Sequence, residues 1–340
     1  MMMKYKLFAA ILFMTAFCVV AHAAKPKKEL PEKKGVESIN RATAEAHIGF
    51  LASDNLQGRE ASEQGGRIAG DYIISMLKQI GLKPLFNDYV QPFDVYRAER
   101  QKKGQYQLHP DSIAILKKGP HQKLPMRNIL AKIDGVNPNE IVIIGAHYDH
   151  LGIDKNLVGD NIYNGADDNA SGVSAVLQVA KAFVATGVRP QRTVIFAFWD
   201  GEEKGLLGSR YFTMTYPKLD KVKGYLNYDM IGRNNNENQP KHVVYFYTAS
   251  KPIFGEWLKK DIETYRLQLE PDYRAWDNPI GGSDNGSFAK VGIPIIWYHT
   301  DGHPDYHLPG DQAEKINYNK VVDITKASFL NMWNLANSDY

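Results

Sequence analysis

The chain has 340 residues, 44% of them hydrophobic and 23% charged, an ordinary globular composition with room for one large α/β domain or two modest ones. A net charge of +3, with no stretch that interleaves clustered Lys or Arg with stacking aromatics, argues against nucleic acid as a partner. Cys18 is the single cysteine, so neither a disulfide framework nor a thiolate metal site is expected.

Residues 1–23 read as an export signal. Lys4 and Lys6 precede an apolar run over 7–20, and Ala21-His22-Ala23 supplies the small-x-small pattern of a signal-peptidase site. The run is too short for a membrane span. Cleavage near Ala23 or Ala24 would leave an exported protein, periplasmic or extracellular, with no stable membrane anchor. Cys18 would leave with the signal, so any metal must be held by His, Asp and Glu.

Residues 24–37, rich in Lys, Pro and Glu, read as a flexible lead-in, and 38–340 as a single domain. Beyond Ser38 and Asn40, either a good N-cap, the spacing of Ala44, His47, Ile48 and Leu51 predicts a helix. Ser53-Asp54-Asn55-Leu56-Gln57-Gly58-Arg59-Glu60 reads as a polar loop. Ile68, Tyr72, Ile73, Met76, Leu77 and Ile80 predict a second helix, which Gly81 closes. Over 85–133 short alternating runs, such as 89–96 and 112–116, suggest peripheral strands and loops.

The segments 128–133 and 141–146 read as neighbouring core strands around the turn Asp134-Gly135-Val136-Asn137-Pro138. Then come a helix over 170–186, a strand over 193–199, a helix over 206–216, and strands over 223–230 and 242–247. A helix over 253–265, a loop through Pro271-Asp272-Tyr273, a short helix after Ser283, a strand over 293–298 and a final helix from Asn319 complete the chain. Helices alternating with buried strands predict a three-layer α/β/α domain with a mixed, mostly parallel central sheet.

Five residues place a metal-ligand side chain at a strand end or in the loop after it: His147, Asp168, Glu203, Asp229 and His307. Ligands bind at the carboxyl ends of strands in such sheets. Two imidazoles and three carboxylates without sulfur suit a pair of Zn²⁺ ions if one carboxylate bridges them. Two metals roughly 3.5–4 Å apart can activate a water and polarise a carbonyl. In Glu202-Glu203 adjacent side chains point in different directions, so one can face a metal while the other takes the water's proton. His299, at the end of the last predicted strand, rivals His307. His150, His47, His109, His121 and His242 read as surface or structural groups.

These words together resemble the M28 zinc aminopeptidases, whose members include bacterial secreted leucine aminopeptidases. The matching stretches are Gly-Ala-His-Tyr-Asp at 145–149, Asp-Asp-Asn-Ala-Ser-Gly at 167–172, Asp-Gly-Glu-Glu at 200–203, Asn-Tyr-Asp-Met-Ile-Gly at 227–232 and Asp-Tyr-His at 305–307. The resemblance implies a zinc exopeptidase-like fold in which Asp168 bridges two Zn²⁺ ions. His147 and Asp229 would complete one site, Glu203 and His307 the other. It further implies Glu202 as general base, Tyr306 as oxyanion donor and Asp149 as the group that orients His147. The expected partners are peptides with a free amino terminus.

Two departures stand out: Asn285 follows Ser-Asp where members often have His, and nothing resembles an inserted protease-associated domain. Cavity access then falls to the loops over 152–164, 234–241 and 267–282. Two alternatives share the fold: a glutaminyl cyclase-like acyltransferase with one zinc, and a carboxypeptidase. The latter needs a cationic pocket, for which Arg233, Arg274 and Lys241 are candidates too scattered to judge.

Overall fold

The computed structural model describes residues 30–99, 105–277 and 281–340, so the expected export signal lies outside the described residues. Three helices open the domain: α1 (Pro31–Ser38), α2 (Arg41–Leu51) and α3 (Gln64–Ile80). The Asn40 side chain caps α2 by accepting from the Thr43 N–H at 2.9 Å, and Gly81 ends α3 in the left-handed region at φ +85°. The reading of 24–37 as flexible is corrected from Pro31 onward. Val36 is buried, and Gly35 lets α1 lie where a Cβ would overlap the Phe329 ring.

Strands β1 (Lys83–Pro84) and β2 (Val90–Ala98), helix α4 (Pro110–Leu116), and strands β3 (His121–Ile133) and β4 (Asn137–His147) follow. The run at 112–116, within a region expected to hold strands and loops, is helical because Pro110 in the first turn presets helical φ. A small separate hairpin joins β5 (Gly152–Ile153) and β6 (Ile162–Tyr163). Next come α5 (Gly172–Ala185), β7 (Arg192–Trp199), α6 (Leu207–Thr215), β8 (Val222–Tyr228) and β9 (His242–Tyr247). The chain ends with α7 (Ile253–Tyr265), β10 (Glu270–Ala275), α8 (Asn285–Ala289), β11 (Ile295–His299) and α9 (Tyr318–Asn337). The expected loop at 271–273 is thus part of β10. This strand pairs with β9 at the sheet's edge, where Pro271 is tolerated and a polar pattern suffices.

Among the described residues the main sheet has nine strands, ordered β1-β3-β7-β4-β8-β11-β9-β10, with β2 also pairing with β3. Its centre, β7-β4-β8-β11, is parallel, while β3 runs antiparallel to β7 and β9 antiparallel to β11. The two strands expected as neighbours, β3 and β4, are separated by β7. The crossover through α5 returns β7 beside β4, and the β3–β4 turn passes over its start, where the Val136 and Asn137 N–H groups donate to the carbonyls of Pro190 and Gln191.

Side chains alternate between two cores. Val142, Ile144 and Ala146 face the larger helix layer of α1, α2, α3, α5, α7 and α9. Ile141 and Ile143 face the thinner layer of α6 and α8 through Phe212 and Phe288. Burial on both faces is why β4 and β7 read as continuous apolar runs. It leaves the strand ends as the place where polar side chains gather.

Candidate metal centre and its cavity

The carboxyl ends of the parallel strands converge on one edge of the sheet. His147 is the last residue of β4, Glu202 and Glu203 lie just past β7, Asp229 follows β8, and His299 ends β11. Asp168 reaches them from the loop before α5. In that loop Asp167 and Asp168 do different work. The Asp167 carboxylate accepts from the backbone N–H of Gly232 and Arg233 and from Ser171, tying the loop to the segment after β8. Burial, with Asp311 adding, pushes Asp167 up to about 8. Asn169 splices the same two segments: its amide donates to the Tyr228 carbonyl, and its oxygen accepts from Gly172 N–H. Asp168 alone is left facing the cluster, and its backbone is held by the Asp311 carboxylate.

The two oxygens of Asp168 point two ways. Oδ1 lies 3.2 Å from His147 Nε2, which is 3.6 Å from Asp229 Oδ1. Oδ2 lies 3.2 Å from His307 Nε2, which is 3.3 Å from Glu203 Oε2. Ligand atoms about 2.0–2.1 Å from a tetrahedral zinc sit about 3.3 Å from one another. The spacing of the first group therefore suits a divalent ion, and around the other side of Asp168 the ligand atoms of His150, Asp168 and Glu203 also lie within 4.8 Å of one another, with His307 beside them. Although burial opposes it, the imidazoles of His150, His147 and His307 hold Asp168 well below the usual carboxylate range.

The remaining expected residues are also drawn in. His147 Nδ1 meets the Asp149 backbone carbonyl at 3.1 Å, with the Asp149 carboxylate at 3.8 Å; that carboxylate also accepts the Glu202 N–H at 3.0 Å. Burial pushes Glu202 well above the usual range, against the pull of His147, with Asp229, Glu203 and Asp284 adding to the rise. Tyr306 stacks on the His307 ring at 3.9 Å. His299, the rival of His307, turns its Nδ1 to the Asp229 carbonyl at 2.6 Å and packs at a tilt against the Trp297 ring.

The sequence reading missed two groups. Of the two readings given for His150, surface or structural, the structure shows the second, but places it at the cluster: it is buried, with Nδ1 2.8 Å from Glu203 Oε1. Arg59, read as part of a polar loop, is a fully buried guanidinium that donates to the carbonyls of Leu51, Tyr148, Asn164, Gly165 and Asp168. It pins the loop after β4 to the loop that carries Asp168. Burial brings Arg59 down to about 10, with Asp168, Asp311, Asp149 and Glu203 opposing. The one sequence signal was an Arg beside Gly58; the structure puts Gln57, Gly58 and Arg59 all at positive φ.

A cavity of about 290 Å³ opens over the cluster. Asp168, Glu202, Asp229, Tyr306 and His307 form its reactive side; Met230, Gly282, Trp297, His299 and Gly302 form the rest. That volume is at the low end for small-molecule sites. No Lys or Arg is among its described lining residues. Arg233 is engaged by Asp305, Arg274 by Asp272 and Asp301, and Lys241 by Gln268.

Residues 128–331 match peptidase family M28, a stretch that contains every expected ligand. The chain is 32% identical over 192 residues to leupeptin-inactivating enzyme 1 of Streptomyces exfoliatus, which takes in 55% of this chain and 38% of that protein. It is 38% identical over 226 residues to leucine aminopeptidase 2 of Trichophyton rubrum, covering 59% of this chain and 43% of that protein. The chain thus spans less than half the length of these two relatives. Among solved structures, the LapA aminopeptidase of Legionella pneumophila superposes with a TM-score of 0.67 at 20% identity, over 93% of this chain and 77% of that one. A Fimbriiglobus ruber glutaminyl cyclase superposes with a TM-score of 0.65 at 16% identity, over 87% and 95%. Likenesses at such identities establish the fold, which the peptidase and the cyclase share.

Proposed function

The chain belongs to peptidase family M28, and from that membership and the chemistry of its cavity we propose that it is an aminopeptidase, removing the first residue from peptides with a free amino terminus. The observation that carries this reading is the Asp168 carboxylate, with one oxygen 3.2 Å from His147 and the other 3.2 Å from His307. It supports a pair of zinc ions shared through Asp168, with His147 and Asp229 completing one set of ligands and Glu203 and His307 the other. When bound, such ions polarise the scissile carbonyl and lower the pKa of the attacking water.

The chain's own groups do the rest. Glu202, half-buried at the cavity wall beside the ligands, takes the proton from the water and returns it to the departing amine. Asp149 holds the Glu202 backbone and backs His147, fixing both while charge moves. Tyr306 donates its hydroxyl to the oxygen of the scissile carbonyl as that oxygen gains negative charge. The carboxylates of Glu202 and Asp229 attract the substrate's ammonium group.

A small acidic cavity supports an aminopeptidase over a carboxypeptidase, since Arg233, Arg274 and Lys241 are spent on other partners. A cyclase with one zinc leaves one of the two imidazoles on Asp168 unexplained. The apolar run within 1–23 supports export to the periplasm or beyond, and no helix among the described residues is long and apolar enough to cross a membrane.

The test is release of p-nitroaniline from aminoacyl-p-nitroanilides and their N-acetylated counterparts, before chelation, after it, and after zinc return. Zinc-restored hydrolysis of the free forms alone is expected. Equal cleavage of the acetylated forms contradicts the proposal, and ammonia release from a peptide with N-terminal Gln moves the assignment to cyclisation.

A further inference from the structure

His150 is a buried histidine outside the two sets of ligands assigned above, although a ring nitrogen lies within 4.8 Å of carboxylate oxygens of both Asp168 and Glu203, near enough to share an ion with them. Its Nδ1 is 2.8 Å from Glu203 Oε1 and 3.9 Å from Asp168 Oδ2. The first separation is shorter than the roughly 3.3 Å between ligands on one zinc, and the second is longer. A contact of 2.8 Å between an imidazole nitrogen and a carboxylate is a hydrogen bond, and because a carboxylate only accepts, Nδ1 is the donor. Among the described residues the buried Nε2 has no hydrogen-bond partner, so Nδ1 is the anchored nitrogen of the ring. The His150 N–H donates to the Arg59 carbonyl at 3.2 Å, and a Cβ on Gly165 would come within 2.5 Å of the ring's Cδ2. Glu203 therefore has one oxygen engaged by His150 and the other, Oε2, turned to His307 at 3.3 Å.

We propose that His150 is a positioning residue for the second metal: by donating to Oε1 of Glu203 it makes Oε2 the single oxygen offered to the ion. This inference rests on the two-ion reading of the site. A Glu203 bound through one oxygen leaves a coordination position open for substrate, whereas both oxygens on the ion would fill it. The same hydrogen bond restrains the Glu203 side chain when the site is empty.

The experiment titrates chelator-stripped protein with zinc against a chromophoric chelator, so that the readout is metal affinity and not activity. Wild type is expected to bind two ions. His150→Leu is expected to weaken one of them about 10- to 100-fold and leave the other within about twofold. His150→Gln, whose amide can donate to the same oxygen, is expected to recover most of the loss.

A wild type that takes up fewer than two ions overturns the two-ion reading, and this proposal with it. Two ions in wild type and unchanged affinities in His150→Leu overturn the proposal alone. So does a parallel weakening of both sites that tracks a lower melting temperature, which reports packing only. Complete loss of the second ion in both variants makes His150 a direct ligand, and also overturns the positioning role.

Discussion

Arg59→Met is expected to destabilise the protein by about 4 kcal/mol and to loosen the metal centre. Arg59 donates at 2.6 Å to Leu51, 2.5 Å to Asn164 and 3.1 Å to Tyr148, and at 2.9 Å and 3.4 Å to Gly165 and Asp168. The Gly165 carbonyl keeps a second donor in the Ala170 N–H, and the Asp168 bond is long. The three remaining buried carbonyls, at about 1.5 kcal/mol each for a lost hydrogen bond to a charged donor, give roughly 4 kcal/mol. Met fills a similar volume, so little cavity cost is added. For a domain of this size that corresponds to a fall in Tm of roughly 8 °C. Arg59→Lys should recover less than half, since one ammonium cannot span carbonyls from three segments. Thermal unfolding by circular dichroism, with zinc and without, is the assay. A Met variant that melts within about 2 °C of wild type and binds zinc unchanged refutes the clamp.

Glu202→Gln is expected to lower kcat by about 10²- to 10⁴-fold with zinc content unchanged, because it removes a proton acceptor and not a ligand; loss of metal in this variant would make Glu202 a ligand. Gly165→Ala is expected to lose zinc affinity, since φ is +57° there and a Cβ would overlap the Asp168 carbonyl oxygen; metal analysis matching wild type would contradict it. Away from the site, burial pushes Asp261 up to about 7, with Lys260 opposing and Glu32 adding. Its neutral form is favoured by folding, so its contribution is fully present below the ordinary aspartate value near 3.8 and is lost as pH rises through about 7. Asp261→Asn should therefore match wild type near pH 4 and exceed it at pH 8, on the order of a few kcal/mol. Melting curves that stay parallel across that range would show that burial of this carboxyl carries no cost.

Legibility followed the range of the interactions. The cap at Asn40, the stop at Gly81 and the helix α7 depend on residues within a few positions of one another, so local spacing sufficed to find them. His147, Glu203 and Asp229 were visible because each interrupts a run of apolar residues that burial on both faces requires. Strand order was not visible. Nothing in the short turn after β3 announces that β7, arriving after α5, will lie between β3 and β4. Helix α1 escaped because its composition is that of a solvated tail, and only contact with α5 and α9 makes it fold. Arg59 and His150 escaped for a related reason. An arginine in a polar loop gives no sign that Tyr148, Asn164 and Asp168, about 90 or more positions away, supply its partners.

The shared role of Asp168 is tested most directly by crystals of the zinc-loaded protein measured on both sides of the zinc absorption edge. Two anomalous peaks about 3.5–4 Å apart are expected, one against His147 and Asp229, the other against Glu203 and His307, with Asp168 between them. A single peak, or a second ion held without Asp168, would contradict the two-ion centre and the chemistry derived from it.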